Sequence, residues 1–138
     1  VMRIVLDTNV FVSSLLSKPG STTRRIRKAW EKGAFEVCTS EYQIEEIRRI
    51  LNEKFRVLTT TSERAELIAE IRKACILIEP KQKRGLSKDE DDNPLLDLAV
   101  EAGAQYMVSG DEHVVSVKHK RLKILTPAQF LEQIKQSL

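Results

Sequence analysis

The stretch Ile4-Val5-Leu6-Asp7 decides the fold class. Three apolar residues in succession, two of them β-branched, have the pattern of a strand covered on both faces, and such strands belong to parallel sheets. The run stops on a carboxylate, so the strand carries a charged group to the edge of the sheet. Outward from there the chain alternates between helix and strand signals. Val10 to Leu16 is apolar enough for a helix, and Lys18-Pro19-Gly20-Ser21 punctuates its end. A second helix is expected from about Thr22 to Lys32, with Ile26, Ala29 and Trp30 on one face and Gly33 as its stop. Phe35 to Cys38 reads as a strand. Ser40 and Gln43 then have capping-box spacing ahead of a stripe at Ile44, Ile47, Ile50 and Leu51. Thr60 and Glu63 repeat that spacing before a helix expected to turn Leu67, Ile68, Ile71 and Ala74 inward.

Ile76 to Ile78 reads as the next strand, and residues 81–93 form a polar connection that switches from basic to acidic. A loop of that length in a compact domain is expected to be either mobile or functional. Asn93 is expected to cap a nearly all-apolar helix with Pro94 at its first position and Gly103 after its end. Tyr106 to Val108 and Leu122 to Leu125 supply two more strands, and Thr126-Pro127 opens a last helix with Phe130, Leu131 and Ile134 inward. Five strands alternating with helices predict an α/β fold: a single domain over residues 1–138 with a central, mainly parallel sheet covered on both faces.

Charge and composition narrow the function classes. The chain has 23 Lys+Arg against 20 Asp+Glu, a net charge of +3. A polyanion would therefore be bound by a local patch rather than by bulk charge. No run approaches the length of a membrane span, and the chain starts as a strand rather than as a signal peptide, so a cytoplasmic location is expected. Cys38 and Cys75 sit in apolar surroundings and read as reduced, buried thiols rather than as a disulfide or zinc framework.

The acids carry the chemistry. In open parallel sheets, sites form beyond the carboxyl ends of the strands, where Asp7 and Asp111 each follow an apolar strand. The acidic end of the long loop brings Asp89, Asp91 and Asp92 to just before a helix N-terminus. Glu46, one turn before Ile50, borders the buried stripe of its helix, whereas Glu45 projects toward solvent. Four carboxylates without basic partners repel one another, and a hard divalent cation relieves that conflict. Mg2+ or Mn2+ held by Asp7, Glu46, Asp92 and Asp111 would suit phosphodiester hydrolysis.

This combination resembles the PIN domain family of metal-dependent nucleases, and within it the toxin components of prokaryotic toxin-antitoxin systems. Val5-Leu6-Asp7-Thr8-Asn9-Val10 resembles the family's opening signature, Ser40 to Leu51 its second motif with the acid at Glu46, Asp91 to Ala99 its third with Asp92, and Tyr106 to Asp111 its fourth with Asp111. The resemblance implies a three-layer α/β/α sandwich, Mg2+ or Mn2+ dependence and endoribonuclease activity. It also implies supporting roles for Asn9 and Ser109, a candidate antitoxin partner and a candidate homodimer, to which the apolar Val10 to Leu16 helix would contribute a surplus face. Asp91 and Asp97 are candidate auxiliary acids. His113 stands where relatives of this branch often carry a second acid, which bears on the occupancy of a second metal.

Three basic stretches are candidates for gripping the RNA backbone. They contribute Arg24 and Arg27 from the second helix and Lys81, Lys83, Arg84 and Lys88 from the long loop, with a third stretch at Lys118 to Lys123. Aromatic residues make up 5% of the chain, too few for a broad base-stacking sheet, and Trp30 and Tyr42 read as core or interface residues. Rival readings are a HAD-like phosphohydrolase built on Asp7-Thr8-Asn9-Val10, a phosphoacceptor receiver domain, and a catalytically inactive PIN fold that binds RNA or protein.

Overall fold

The computed structural model describes residues 1–135; the last three residues of the domain expected over 1–138 lie outside the described residues. The elements follow in the order β1 (Arg3–Leu6), α1 (Thr8–Leu16), α2 (Thr22–Glu31), β2 (Glu36–Thr39), α3 (Glu41–Lys54), α4 (Thr61–Ala74) and β3 (Ile76–Leu77). A 3-10 turn at Glu90–Asp92 leads into α5 (Asn93–Glu101), β4 (Tyr106–Val108), α6 (Glu112–Val115), β5 (Lys123–Leu125) and α7 (Pro127–Lys135). The five strands form one sheet in the order β3-β2-β1-β4-β5, and every pairing is parallel.

Parallel neighbours require crossovers, and the helices that make them cover both faces. One core packs α1, α2, α3, α4 and α7 on the sheet through Phe11, Ile26, Ile44, Ile47, Ile71 and Phe130. The opposite core packs α5 through Leu95, Leu96, Leu98 and Ala99 against Val5, Cys38 and Met107. Successive residues of β1 thus enter opposite cores, which explains why the strand lacks polar alternation. Within the larger core, Phe35 and Tyr106 meet the ring of Phe130 edge-on, and Trp30 meets Phe11 in the same way.

Local signals account for the helix starts. Thr60 and Glu63 make the reciprocal capping bonds expected of them, and Thr126 and Gln129 form a second such pair at α7. Gly33 follows α2 at φ +82°, the left-handed conformation its early placement requires. Three expectations need correction. Ala74 is exposed because α4 sheds its buried stripe after Ile71. Asn93 does not cap α5; its side chain instead binds both the N–H and the carbonyl of Ser87, folding the long loop back on itself. Helix α1 presents no surplus apolar face, since Val10, Phe11, Val12 and Leu15 are all buried within the chain. No described helix is long and apolar enough to cross a membrane. Cys38 and Cys75 are free, and burial, with a smaller contribution from Cys38, pushes the Cys75 thiol up to about 12.

Candidate active site

The order of the strands places β1 between β2 and β4, so the chain runs away from β1 in one direction toward β3 and in the other toward β5. Crevices form at the carboxyl ends of the strands where that direction reverses. A cleft of about 550 Å³ lies there, and Asp7, Glu46, Asp91, Asp92 and Asp111 all line it. They come from the end of β1, from α3, from the turn before α5 and from the residues after β4. No lysine or arginine is among the lining residues.

All of these acids except Asp91 accept from a local donor. Ser109, fully buried after β4, donates to Asp7 Oδ2 at 2.7 Å, and its Oγ accepts the Asp111 N–H at 3.0 Å. One hydroxyl therefore ties the ends of two strands together. Thr8 donates its hydroxyl to Glu46 Oε1 at 2.7 Å, linking the first residue of α1 to α3. The hydroxyl of Ser87 donates to Asp92 Oδ2 at 3.3 Å, and Asp111 accepts the His113 N–H at 2.9 Å as it caps α6. Thr8 itself sits beside Gln43, which is fully buried and whose amide donates to the Leu6 carbonyl at 2.6 Å while accepting from Thr39 Oγ1 at 2.6 Å.

The cleft disfavours the charge of two of its acids, Asp7 and Asp92. Burial raises the Asp7 carboxyl above its usual range against the opposing bonds from Ser109 and the Thr8 backbone, and the charge of Asp111 adds to the rise. Asp92 is also raised, first by burial and then by Asp89, Asp111 and Asp7. A cluster of carboxylate oxygens with no basic partner, two of whose members resist ionisation, fits a hard divalent cation. Among the described residues, however, no three His, Cys, Asp or Glu side chains stand close enough to enclose an ion. One oxygen each of Asp7, Glu46 and Asp92 meets a hydroxyl named above and one of Asp111 a backbone N–H, so each of these carboxylates keeps a second oxygen outside those bonds.

The remaining expected site residues divide sharply. Asn9 is exposed in the cleft, and Asp91 lies on its wall beside Asp92. Asp97 is not in the cleft. It is buried on α5, where it accepts the backbone N–H of Arg84 at 3.1 Å and pins the long loop. Glu101, one turn later, accepts the Lys81 N–H and lies 3.9 Å from the Arg84 guanidinium. Arg84 is thus half-buried against α5 rather than free to meet a backbone.

Arg24 and Arg27 are also occupied, donating to the Ser17 and Leu15 carbonyls at the end of α1, and Arg27 pairs with Glu31 at 2.9 Å. Those carbonyls lack helical partners, so the two arginines finish a helix. Lys81, Lys83 and Lys88 remain exposed but do not line the cleft. Sequence reasoning missed Thr8 and Gln43. The only signal for Gln43 was its capping spacing after Ser40, and although Ser40 does accept the Gln43 N–H, the Gln43 side chain turns inward to the sheet.

A PIN domain family model matches residues 3–113, and the chain belongs to that family. The HAD-like and receiver assignments are thereby set aside. An uncharacterised protein of Methanocaldococcus jannaschii, MJ1680, is 26% identical over 143 residues, covering 96% of this chain and 91% of that protein. Among solved structures, a chain of VapBC2 from Rickettsia felis, crystallised bound to a DNA fragment from its promoter, superposes with a TM-score of 0.58. It is 14% identical and covers 89% of this chain and 98% of its own. FitAcB from Neisseria gonorrhoeae gives a TM-score of 0.56 at 15% identity, covering 91% and 98%.

Because Ser109 is the common partner of Asp7 and the Asp111 backbone, Ser109→Ala is expected to reduce nuclease activity about 10- to 100-fold while leaving the fold assembled. The check is cleavage rate beside a melting curve. Wild-type rates in this variant would show that Asp7 needs no such orientation.

Proposed function

We propose that this chain is a divalent-metal-dependent endoribonuclease. The observation that carries the reading is the convergence of Asp7, Glu46, Asp92 and Asp111, from four separate parts of the chain, on one cleft with no basic lining. Those four side chains would hold Mg2+ or Mn2+. A bound ion would polarise the scissile phosphate and lower the pKa of an attacking water.

The chain's own residues prepare that site. Ser109 fixes Asp7, Thr8 fixes Glu46 and Ser87 restrains Asp92. The amide of Asn9 and the carboxylate of Asp91 face the same space, where they would orient the sugar-phosphate or the water. Asp97 and Glu101 hold the loop that delivers Asp92 and so act at one remove. Family membership and the fold shared with VapBC2 and FitAcB support a role as the toxin of a toxin-antitoxin pair, with an antitoxin protein and a second copy of this chain as partners and the cytoplasm as location.

The test is cleavage of single-stranded, hairpin and duplex RNA and of single-stranded DNA with Mg2+, Mn2+ or EDTA. The expected result is RNA cleavage with either ion, loss in EDTA and recovery when the ion is restored. RNA that binds without being cut under either ion would overturn the nuclease reading in favour of a binding module.

A further inference from the structure

Tyr42 is the one aromatic side chain among the described residues that is exposed, at 47%. Phe11, Phe35 and Phe130 are buried, and Trp30, Phe55 and Tyr106 pack against the larger core. The place where Tyr42 stands is therefore informative. It lies in the first turn of α3, one turn before Glu46, so the two side chains share a face. Its phenol is near enough to Glu46 and Asp91 to feel both charges, and Arg49 acts on it from the opposite sense.

Glu46 lines both the acidic cleft and an adjoining depression whose walls include Tyr42, Arg49 and Asn52. Glu46 is the wall the two recesses share. Arg48, next to Arg49, is paired with Glu45, whereas Arg49 is exposed and has no ion-pair partner among the described residues. An acid-lined cleft that must receive a polyanion thus has an exposed ring and a free guanidinium on its α3 side.

We propose that Tyr42 and Arg49 form a subsite for an unpaired nucleotide next to the scissile phosphate, the phenol ring stacking on its base and the guanidinium taking the adjoining phosphate. The inference rests on the ribonuclease reading and adds to it a selection rule. Base faces are available to a ring only where the strand is unpaired, so stacking here favours single-stranded RNA over duplex. The contact is tolerant of base identity, because every base has a π-face.

The experiment compares the full chain with Tyr42→Ala, Tyr42→Phe and Arg49→Gln on a single-stranded RNA having one cleavage position, and on copies in which single bases are removed to leave abasic riboses. Tyr42→Ala is expected to raise KM roughly tenfold, with the loss falling on KM rather than on kcat, and Tyr42→Phe to restore it. Wild-type chain should lose a similar factor on one abasic copy, and that loss should not add to the loss from Tyr42→Ala. Arg49→Gln should lower the slope of log affinity against log salt by about one unit. Because both side chains are exposed, melting temperatures should match wild type.

Equal KM for wild type and Tyr42→Ala, or wild-type cleavage of duplex as fast as of single strand, would overturn the subsite while leaving the ribonuclease reading standing. Failure of the ribonuclease reading shows separately, as wild-type chain that cuts no RNA with either ion, and the subsite falls with it.

Discussion

Asp7→Asn is expected to abolish metal-dependent RNA cleavage and, in metal-free protein at neutral pH, to raise the melting temperature. The loss of activity should exceed the roughly 10- to 100-fold cost of removing a residue that only supports a metal ligand, because Asp7 is itself one of the acids proposed to hold the ion and the one Ser109 orients. The gain in stability follows from the direction in which its carboxyl is shifted. Burial holds that group above its unfolded value of 3.8, so the folded state binds the proton more tightly than the unfolded state does.

The stability this supplies is complete below about pH 3.8 and is lost as pH rises through the folded value, leaving the ionised carboxylate working against the fold at neutrality. An asparagine keeps an acceptor for Ser109 and cannot ionise. The advantage of the variant should be a few degrees near pH 7 and should shrink as pH falls toward 4. Adding Mg2+ should then raise the melting temperature of wild type and leave the variant nearly unmoved. Full cleavage by clean Asp7→Asn protein would sink the assignment of the site, and a metal-free melting temperature that falls would sink its electrostatic account.

Such trade-offs explain which parts of the molecule are legible in one sequence. Periodicity records which side chains face inward, and it located all five strands and the helices that carry the site. The placement of Asp7 and Asp111 followed from acids standing directly or shortly after two apolar runs, and that of Glu46 from its offset to Ile50. The capping pair of Thr60 and Glu63 is encoded within four residues, so it too could be read directly. What periodicity does not record is which buried polar atom meets which backbone group left without a partner.

Arg24 and Arg27 look like a solvent-facing basic stripe until α1 places its last carbonyls beside them. Asp97 looks like a spare catalytic acid until the long loop lays the Arg84 N–H across it. Both depend on contacts between segments whose relative position only the folded chain defines. Of the two places expected for Tyr42, core or interface, the core is excluded for a related reason: a ring on an amphipathic helix is usually drawn inward, but this one sits just off the buried stripe of Ile44, Ile47 and Leu51 and is exposed.

Gln43 is the sharpest case, and its replacement tests how far fold and site are one structure. The ladder between β1 and β2 has its last paired residues at Ile4 and Val37, and beyond them the Gln43 amide reaches the Leu6 carbonyl. The orientation of that amide is forced: the Leu6 carbonyl can only accept, so nitrogen must face it and oxygen must face the Thr39 hydroxyl. Gln43→Met preserves length and approximate volume while removing both bonds. The Leu6 carbonyl and the Thr39 hydroxyl are then buried without partners, at about 1–3 kcal/mol each.

A loss of about 2–6 kcal/mol is a large share of the roughly 5–15 kcal/mol that holds a domain together, and the melting temperature should fall by on the order of 10 °C. Thr8 packs beside the same amide and holds Glu46, so cleavage measured well below the new melting temperature should also fall, by about tenfold. Gln43→Glu separates the two bonds, because its carboxylate can accept from Thr39 but cannot donate to Leu6. It should be less stable than wild type at neutral pH and recover as the pH is lowered and the carboxyl gains a proton. A Gln43→Met protein as stable and as active as wild type would show that the splayed end of β1 needs no polar bridge, and that the position of Glu46 is set by packing alone.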